Sequence, residues 1–266
     1  MYETTYHRAS SVSEAADLLK KAEDGKFLAG GQTLIPTMKQ RLAAPSDLID
    51  LRQIKELQGI EKQSDGSIRI GAAMSHADVA GNEDVKVTLP GLASLAERIG
   101  DPHVRHMGTI GGSIANNDPA ADYPAALVAL GATVETNQST YAAEDFFTGM
   151  FDTALGEEEI VTAVVIPPAE KSSYAKFPNP ASRYAMAGVF VAKGANGIRV
   201  AVTGAGQDGV FRVEDMENAL TANWSADAVA SISVSPEDLI TDMHGSAEYR
   251  ANLVTVMAKR AVGSCR

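Results

Sequence analysis

Ala29-Gly30-Gly31-Gln32-Thr33, continued by Leu34-Ile35-Pro36-Thr37-Met38-Lys39-Gln40-Arg41-Leu42, is the stretch on which the fold turns. The preceding Lys26–Ala29 segment reads as a short buried strand. The 34–42 segment reads as a helix, with Pro36 tolerated in its first turn. Between them two glycines allow positive φ and leave room for a ligand to approach the main chain, and amides at a helix start favour a pyrophosphate. Gln32 and Thr33 add side-chain donors. From this segment alone, a tight β–α turn without a ligand is an equally good reading.

A second segment of the same character lies further on. Thr109-Ile110-Gly111-Gly112-Ser113 sits inside the small, polar, glycine-rich stretch 100–122, between apolar helices expected at 92–99 and 123–130. A loop of that composition inside a compact domain is usually functional. Two glycine pairs, each beside Thr or Ser, fit a long diphosphate ligand gripped from two sides better than two unrelated turns. Asn116, Asp118 and Asp122 follow. Carboxylates are poor phosphate ligands but suit ribose hydroxyls or amino groups of a nucleotide. Asp122, directly before Tyr123-Pro124-Ala125, is also placed to cap the next helix.

Working outward, residues 3–8 read as a strand, and Ser11-Val12-Ser13-Glu14 as a capping box opening a helix. Strand-like segments follow at 47–51, 59–61 and 67–71, the last two joined by a Ser64-Asp65-Gly66 turn. Further strands are expected at 132–136 and 159–166, with a helix-like turn near 143–147. Pro167-Pro168 marks the expected boundary between residues 1–168, in two lobes of about 1–56 and 57–168, and residues 169–266. Beyond it come strands at 173–177, 184–193 and 197–203, a return strand at 210–213, and helices near 214–222, 226–232 and 246–262. That order suggests an antiparallel sheet backed by helices, in an α+β protein. Gly204-Ala205-Gly206-Gln207-Asp208-Gly209 satisfies a dinucleotide glycine pattern. It is followed by Val210-Phe211-Arg212-Val213 rather than helical residues, so a hairpin is expected instead.

Composition narrows the chemistry. The 266 residues carry 23 basic against 34 acidic side chains, net −11, with no basic stripe, which argues against nucleic acid. Cys265 is the only cysteine, so this chain alone can form neither a disulfide nor a thiolate-held zinc or iron–sulfur site. His103 and His106 have metal-like spacing on a helix, but Pro102 and Gly108 around them suggest an extended loop. MYETTYHRASS at the amino terminus has neither a basic start nor an apolar run, so no leader or anchor is expected, and no stretch approaches membrane-spanning length.

The segments AGGQTLIPTMKQRL (29–42) and IGDPHVRHMGTIGGSIANNDPAADYPAAL (99–127) together resemble the FAD-binding subunits of molybdenum hydroxylases: the medium chain of carbon monoxide dehydrogenase and the FAD domain of xanthine dehydrogenase. DLIDL, EEEIVTAVVIPP and SRYAMAGVFVA follow in the family's order, and the last ~60 residues match loosely. The resemblance implies a bilobal FAD-binding domain of the vanillyl-alcohol-oxidase (PCMH) type, then a small domain with a three-stranded antiparallel sheet and helices. It implies that Ala29, Gly30, Gly31, Gln32, Thr33, Leu34 and Ile35 hold FAD from one side and Thr109, Gly111, Gly112 and Ser113 from the other. Asn116 and Asp122 would meet the ribityl or adenosine portion, Ile160 or Val161 the adenine, and Lys176 the flavin; Asp118 stays a cofactor-binding candidate on its residue type. Tyr184 falls where an aromatic side chain lies beside the isoalloxazine; a core strand tyrosine is its other reading. Asn116-Asn117-Asp118 departs mildly from the family's Asn-Ala-Asp.

No catalytic residue or metal site is expected in this chain. The resemblance implies an electron-transfer oxidoreductase subunit in a cytoplasmic dimer of heterotrimers. A small partner would supply [2Fe-2S] clusters and a large one molybdopterin. Two other readings remain at this stage: a flavin-free scaffold paralogue, and a stand-alone flavin oxidase, for which 171–266 offers little room for a substrate domain.

Overall fold

The computed structural model describes residues 1–265. The first lobe is a small parallel α/β unit. Strands β1 (Thr5–Arg8), β2 (Gly25–Leu28) and β3 (Asp47–Asp50) pair in the order β1-β3-β2, with helix α1 (Val12–Lys21) after β1 and α2 (Leu34–Lys39) after β2. Ser11 caps α1 by accepting from the Glu14 amide at 3.1 Å. The Glu14 carboxylate turns to the Ser10 amide (2.8 Å) rather than to that of Ser11, so the expected capping box closes one residue early.

The second lobe is built on a five-stranded sheet of order β4-β5-β10-β6-β7: β4 Ile60–Lys62, β5 Ile68–Gly71, β6 Thr133–Thr136, β7 Thr140–Ala142 and β10 Val161–Ile166. Between β5 and β6 run α3 (His76–Gly81), α4 (Glu83–Thr88), α5 (Pro90–Glu97), α6 (Pro102–Met107), α7 (Ile110–Asn116) and α8 (Tyr123–Leu130). Every residue of α8 is buried, which is why its sequence is apolar all round. A short helix α9 (Ala143–Phe146) and the hairpin β8 (Phe147–Gly149) and β9 (Asp152–Thr153) complete the lobe.

The stretch 100–122, expected as one irregular loop, folds instead into α6 and α7. The residues that looked like breakers are boundary residues. Asp101 caps α6 through the Val104 amide (3.0 Å), Pro102 occupies the first turn, and Gly108 is the C-cap. Thr109 then caps α7 through the Gly112 amide at 3.1 Å. His103 and His106 therefore sit on a helix, not on an extended segment, and the His106 ring bonds the Pro102 carbonyl. Among the described residues no group of three His, Cys, Asp or Glu side chains is placed to hold a metal ion.

After Pro167-Pro168 comes a four-stranded antiparallel sheet: β11 (Ala169–Pro178), β12 (Ala185–Gly194), β13 (Gly197–Gly206) and β14 (Gly209–Arg212). The 210–213 return strand adds the fourth member, and the glycine run 204–209 is the β13–β14 hairpin. Along β12, Phe190 and Ala192 join the core of the second lobe, whereas Ala187, Val189 and Val191 face α10 (Glu214–Ala222) and α11 (Ala247–Ser264). The period of two thus serves two cores. The helix expected at 226–232 is a series of turns instead. Ala228, Ala230 and Ile232 bond three residues back, to Ser225, Asp227 and Val229, and the 13-atom ring of an α-helix is not established. No helix among the described residues is long and apolar enough to cross a membrane.

Candidate functional site

The first and second lobes meet along a cleft of about 610 Å³. Its first wall is the β2–α2 turn. Gly31 has φ +70°, the left-handed region where glycine carries no penalty. Gly30 lies against the α6–α7 junction of the other lobe so closely that a β-carbon would stand 2.1 Å from the Met107 carbonyl oxygen. Among the described residues the amides of Gly30, Gly31, Gln32 and Thr33 have no hydrogen-bond partner. Four free N–H groups on one turn form a cradle for anionic oxygens.

The facing segment works differently. The amides of Gly111, Gly112 and Ser113 are already bonded, to the carbonyl of Ala72, the hydroxyl of Thr109 and the carbonyl of Thr109. Gly111 is needed for packing, since its β-carbon would fall 2.5 Å from that of Ala72. This side offers side chains and close approach rather than free amides.

Asp122 also lines the cleft. It was expected to cap α8, but its side chain makes no capping bond. Its carboxylate is taken by two residues of β11: Tyr174 donates to Oδ1 at 2.5 Å and Lys176 to Oδ2 at 2.9 Å. The Asp122 and Lys176 side chains are 4% and 3% exposed. Burial raises the Asp122 pKa, and the Lys176 charge opposes the rise. Asp118 is also raised by burial, and its carboxylate accepts from the Ala120 amide.

The β11–β12 connection brings Tyr184 near Asp118 and Asp122. Asn179 ties it: its side-chain oxygen accepts from the Ala181 and Ser182 amides, its carbonyl from that of Arg183, and its own amide donates to Tyr184. Arg183 has φ 65°, and the knot sets Ser182, Arg183 and Tyr184 on the cleft wall. Tyr184 precedes β12 and is 46% exposed, so it is not a core strand residue.

Of the residues singled out from sequence, Ala29 to Leu34, Thr109, Gly111 to Ser113, Asn116, Asp118, Asp122, Ile160, Val161 and Tyr184 all line this one cleft. Ile35 and Lys176 do not. Ile35 packs beneath Gly31, and Lys176 beneath Asp122. The sequence reading missed His76, Gly108, Arg52 and Glu159, which also line it. Arg52 is held against Asp50 at 2.7 Å, and Glu159 by the Tyr141 and Thr136 hydroxyls. His76 stands at the first position of α3 behind a Ser75–Asp78 capping box, a signal that was available.

The family of FAD-binding domains in molybdopterin dehydrogenases matches residues 2–169. The chain belongs to this family. The nicotine 6-hydroxylase medium subunit of Paenarthrobacter nicotinovorans is 35% identical over 97% of this chain and 95% of its own length. The carbon monoxide dehydrogenase medium chain of Afipia carboxidovorans is likewise 35% identical, over 97% and 94%. The solved carbon monoxide dehydrogenase from Oligotropha carboxidovorans superposes with a TM-score of 0.87 at 32% identity, covering 98% of this chain and 96% of that one. FAD is thus the cofactor of this oxidoreductase subunit, and the site fits it: a cleft between lobes, walled on one side by four free amides suited to a diphosphate.

Proposed function

We propose that this chain is the FAD-binding medium subunit of a molybdenum hydroxylase and passes electrons from [2Fe-2S] clusters of a small partner to an external acceptor. A large molybdopterin partner would carry substrate oxidation. The assembly would be a dimer of heterotrimers in the cytoplasm. The relatives are named as medium subunits, and they match over nearly their full length. The chain holds one cysteine, so cluster ligation falls to another polypeptide.

The observation that carries the reading is the meeting of Gly30 with Met107 across the lobes, beside four free amides. In this reading residues 1–168 bind the cofactor and 169–266 close its flavin end through Tyr184. Ala29 to Leu34 would hold the diphosphate from the first lobe, with Ile35 supporting Gly31 from below. Thr109, Gly111, Gly112 and Ser113 would face it from the second. Asn116, Asp118 and Asp122 would accept from hydroxyl or ring N–H groups, with Lys176 acting through Asp122. Ile160 and Val161 give an apolar surface for the adenine. Bound FAD supplies the ability to accept electrons singly and release them in pairs. The chain's own part is to bind, orient and shield it, and no general acid or base of this chain is required.

The visible spectrum of the purified chain, with mass identification of what denaturation releases, tests the reading. Flavin bands and released FAD are expected, and reduction of the flavin by substrate only when both partner subunits are present. A colourless protein that takes up no FAD even with its partners, or turnover by this chain alone, would overturn it.

A further inference from the structure

His76 is a cleft residue that no motif assigned, and its surroundings define what it can do. Its ring is nearly buried, 5% exposed, and tilts at 49° against the Tyr123 ring with centroids 5.4 Å apart. Its amide donates to the Gly108 carbonyl at 3.0 Å, which clips α3 to the link between α6 and α7. The two ring nitrogens differ. Nδ1 is sealed from solvent with no partner, and Nε2 is not. Nε2 lies beside Gly108, where a β-carbon would come within 2.6 Å of it, and both residues line the cleft. The absence of a side chain at position 108 is what leaves this nitrogen uncovered.

That asymmetry selects the tautomer. A buried N–H without an acceptor is costlier than a buried lone pair without a donor, so the proton belongs on Nε2 and the bare lone pair on Nδ1. Burial, with the Arg105 charge nearby, lowers the His76 pKa to about 4, so the ring is neutral at pH 7. Arg105 is the one charged group acting on it, and the Tyr123 hydroxyl, itself buried without a partner, is the other titratable neighbour. A neutral imidazole held this way offers the cleft one fixed donor and nothing else.

We infer that His76 is a FAD-binding residue whose Nε2–H donates to an acceptor oxygen of the cofactor's diphosphate–ribityl chain. The inference rests on the reading of the cleft as the FAD site and adds a donor from α3. The α6–α7 segment has few of its own, because the amides of Gly111 to Ser113 are already engaged.

The test is FAD affinity of the full chain by flavin fluorescence, for wild type, His76→Phe and His76→Gln, with ADP as a second probe. Phe removes the donor while keeping a flat ring, and Gln restores an N–H near the Nε2 position. His76→Phe is expected to weaken FAD binding roughly 10- to 100-fold, the scale of a hydrogen bond to a charged or strongly polar acceptor. His76→Gln should recover most of it. An equal loss for ADP assigns the phosphates as acceptor; loss for FAD with ADP unchanged assigns the ribityl chain. Should Phe disturb the fold, nitrogen-15 NMR of wild-type His76 decides: an Nε2–H tautomer whose Nε2 resonance moves on FAD addition is expected. Wild-type binding matched by His76→Phe, an Nδ1–H tautomer, or an Nε2 signal indifferent to FAD would overturn the role of His76 alone. A wild-type chain that takes up no FAD overturns the site reading and this inference with it.

Discussion

Gly30 in the first lobe and Met107 in the second approach so closely that no side chain fits between them: a β-carbon on residue 30 would lie 2.1 Å from the Met107 carbonyl oxygen and 2.6 Å from the Gly108 α-carbon. The obstacle is backbone, which cannot swing aside. Gly30→Ala must therefore part the lobes or shift the β2–α2 turn, at about 1–3 kcal/mol or more for an overpacked contact. Thermal unfolding should move down by several degrees, and the purified variant should carry little FAD. Gly81→Ala, where nothing lies within 4 Å, is the control and should leave both unchanged.

Lys176 neutralises a carboxylate that has no other cation in contact. Lys176→Met would leave Asp122 buried and unpaired, a loss on the order of 3–5 kcal/mol. The raised Asp122 pKa fixes the sign of its pH dependence. A carboxyl raised in the fold favours the protonated form, so its contribution is present below the ordinary Asp value and lost as pH rises through the folded one. The stability deficit of Lys176→Met should accordingly be largest at neutral pH and shrink on acidification. The double variant Lys176→Met with Asp122→Asn should unfold at a higher temperature than Lys176→Met alone, which chemical denaturation of the three proteins would check.

Asn117 ends α7 in the left-handed region, φ 40°, and its side-chain amide donates to the carbonyls of Gly149 (2.8 Å) and Asp152 (2.7 Å). One residue thus turns the chain after the cleft helix and ties down the β8–β9 hairpin. Asn117→Gly keeps the backbone conformation and loses the bonds; Asn117→Ala loses both. We expect about 1–2 kcal/mol for Gly and about 1 kcal/mol more for Ala. Amide exchange should speed up at 147–153 in both variants, while β12 stays protected.

The parts of this fold that could be read from sequence are those where one local demand dominates. The strand, Gly30-Gly31 and α2 were legible because a turn with positive φ and close approach leaves only glycine. The strands of the last sheet were legible from their apolar runs and the tight Gly206–Gly209 hairpin. Helices α6 and α7 were not, because Pro102 and Gly108 look like breakers until one sees that they sit at helix boundaries. Asp122 had the position of a helix cap. What overrules the cap is competition from Tyr174 and Lys176, more than 50 residues away, which no local pattern encodes. For His76 the Ser75–Asp78 capping box marks a helix start and no more; its meaning comes from Gly108, which meets it only in the fold.

His76 also makes a prediction that needs no cofactor. Its pKa falls to about 4 in the folded chain, chiefly through burial, whereas an unfolded histidine titrates near 6.5. Below 6.5 the unfolded chain takes up a proton that the folded chain refuses, so stability is lost as pH falls from there towards 4. At 1.36 kcal/mol per unit the full loss is about 3 kcal/mol. Carboxylates titrate over part of the same range, so the comparison must be between proteins. His76→Gln has no such group, and its stability should fall less steeply than that of wild type between pH 6.5 and 4. Urea denaturation of the two apo-proteins at half-unit intervals measures the difference: a gap that widens towards acid in favour of the variant is expected, and parallel curves would place the wild-type imidazole in contact with solvent.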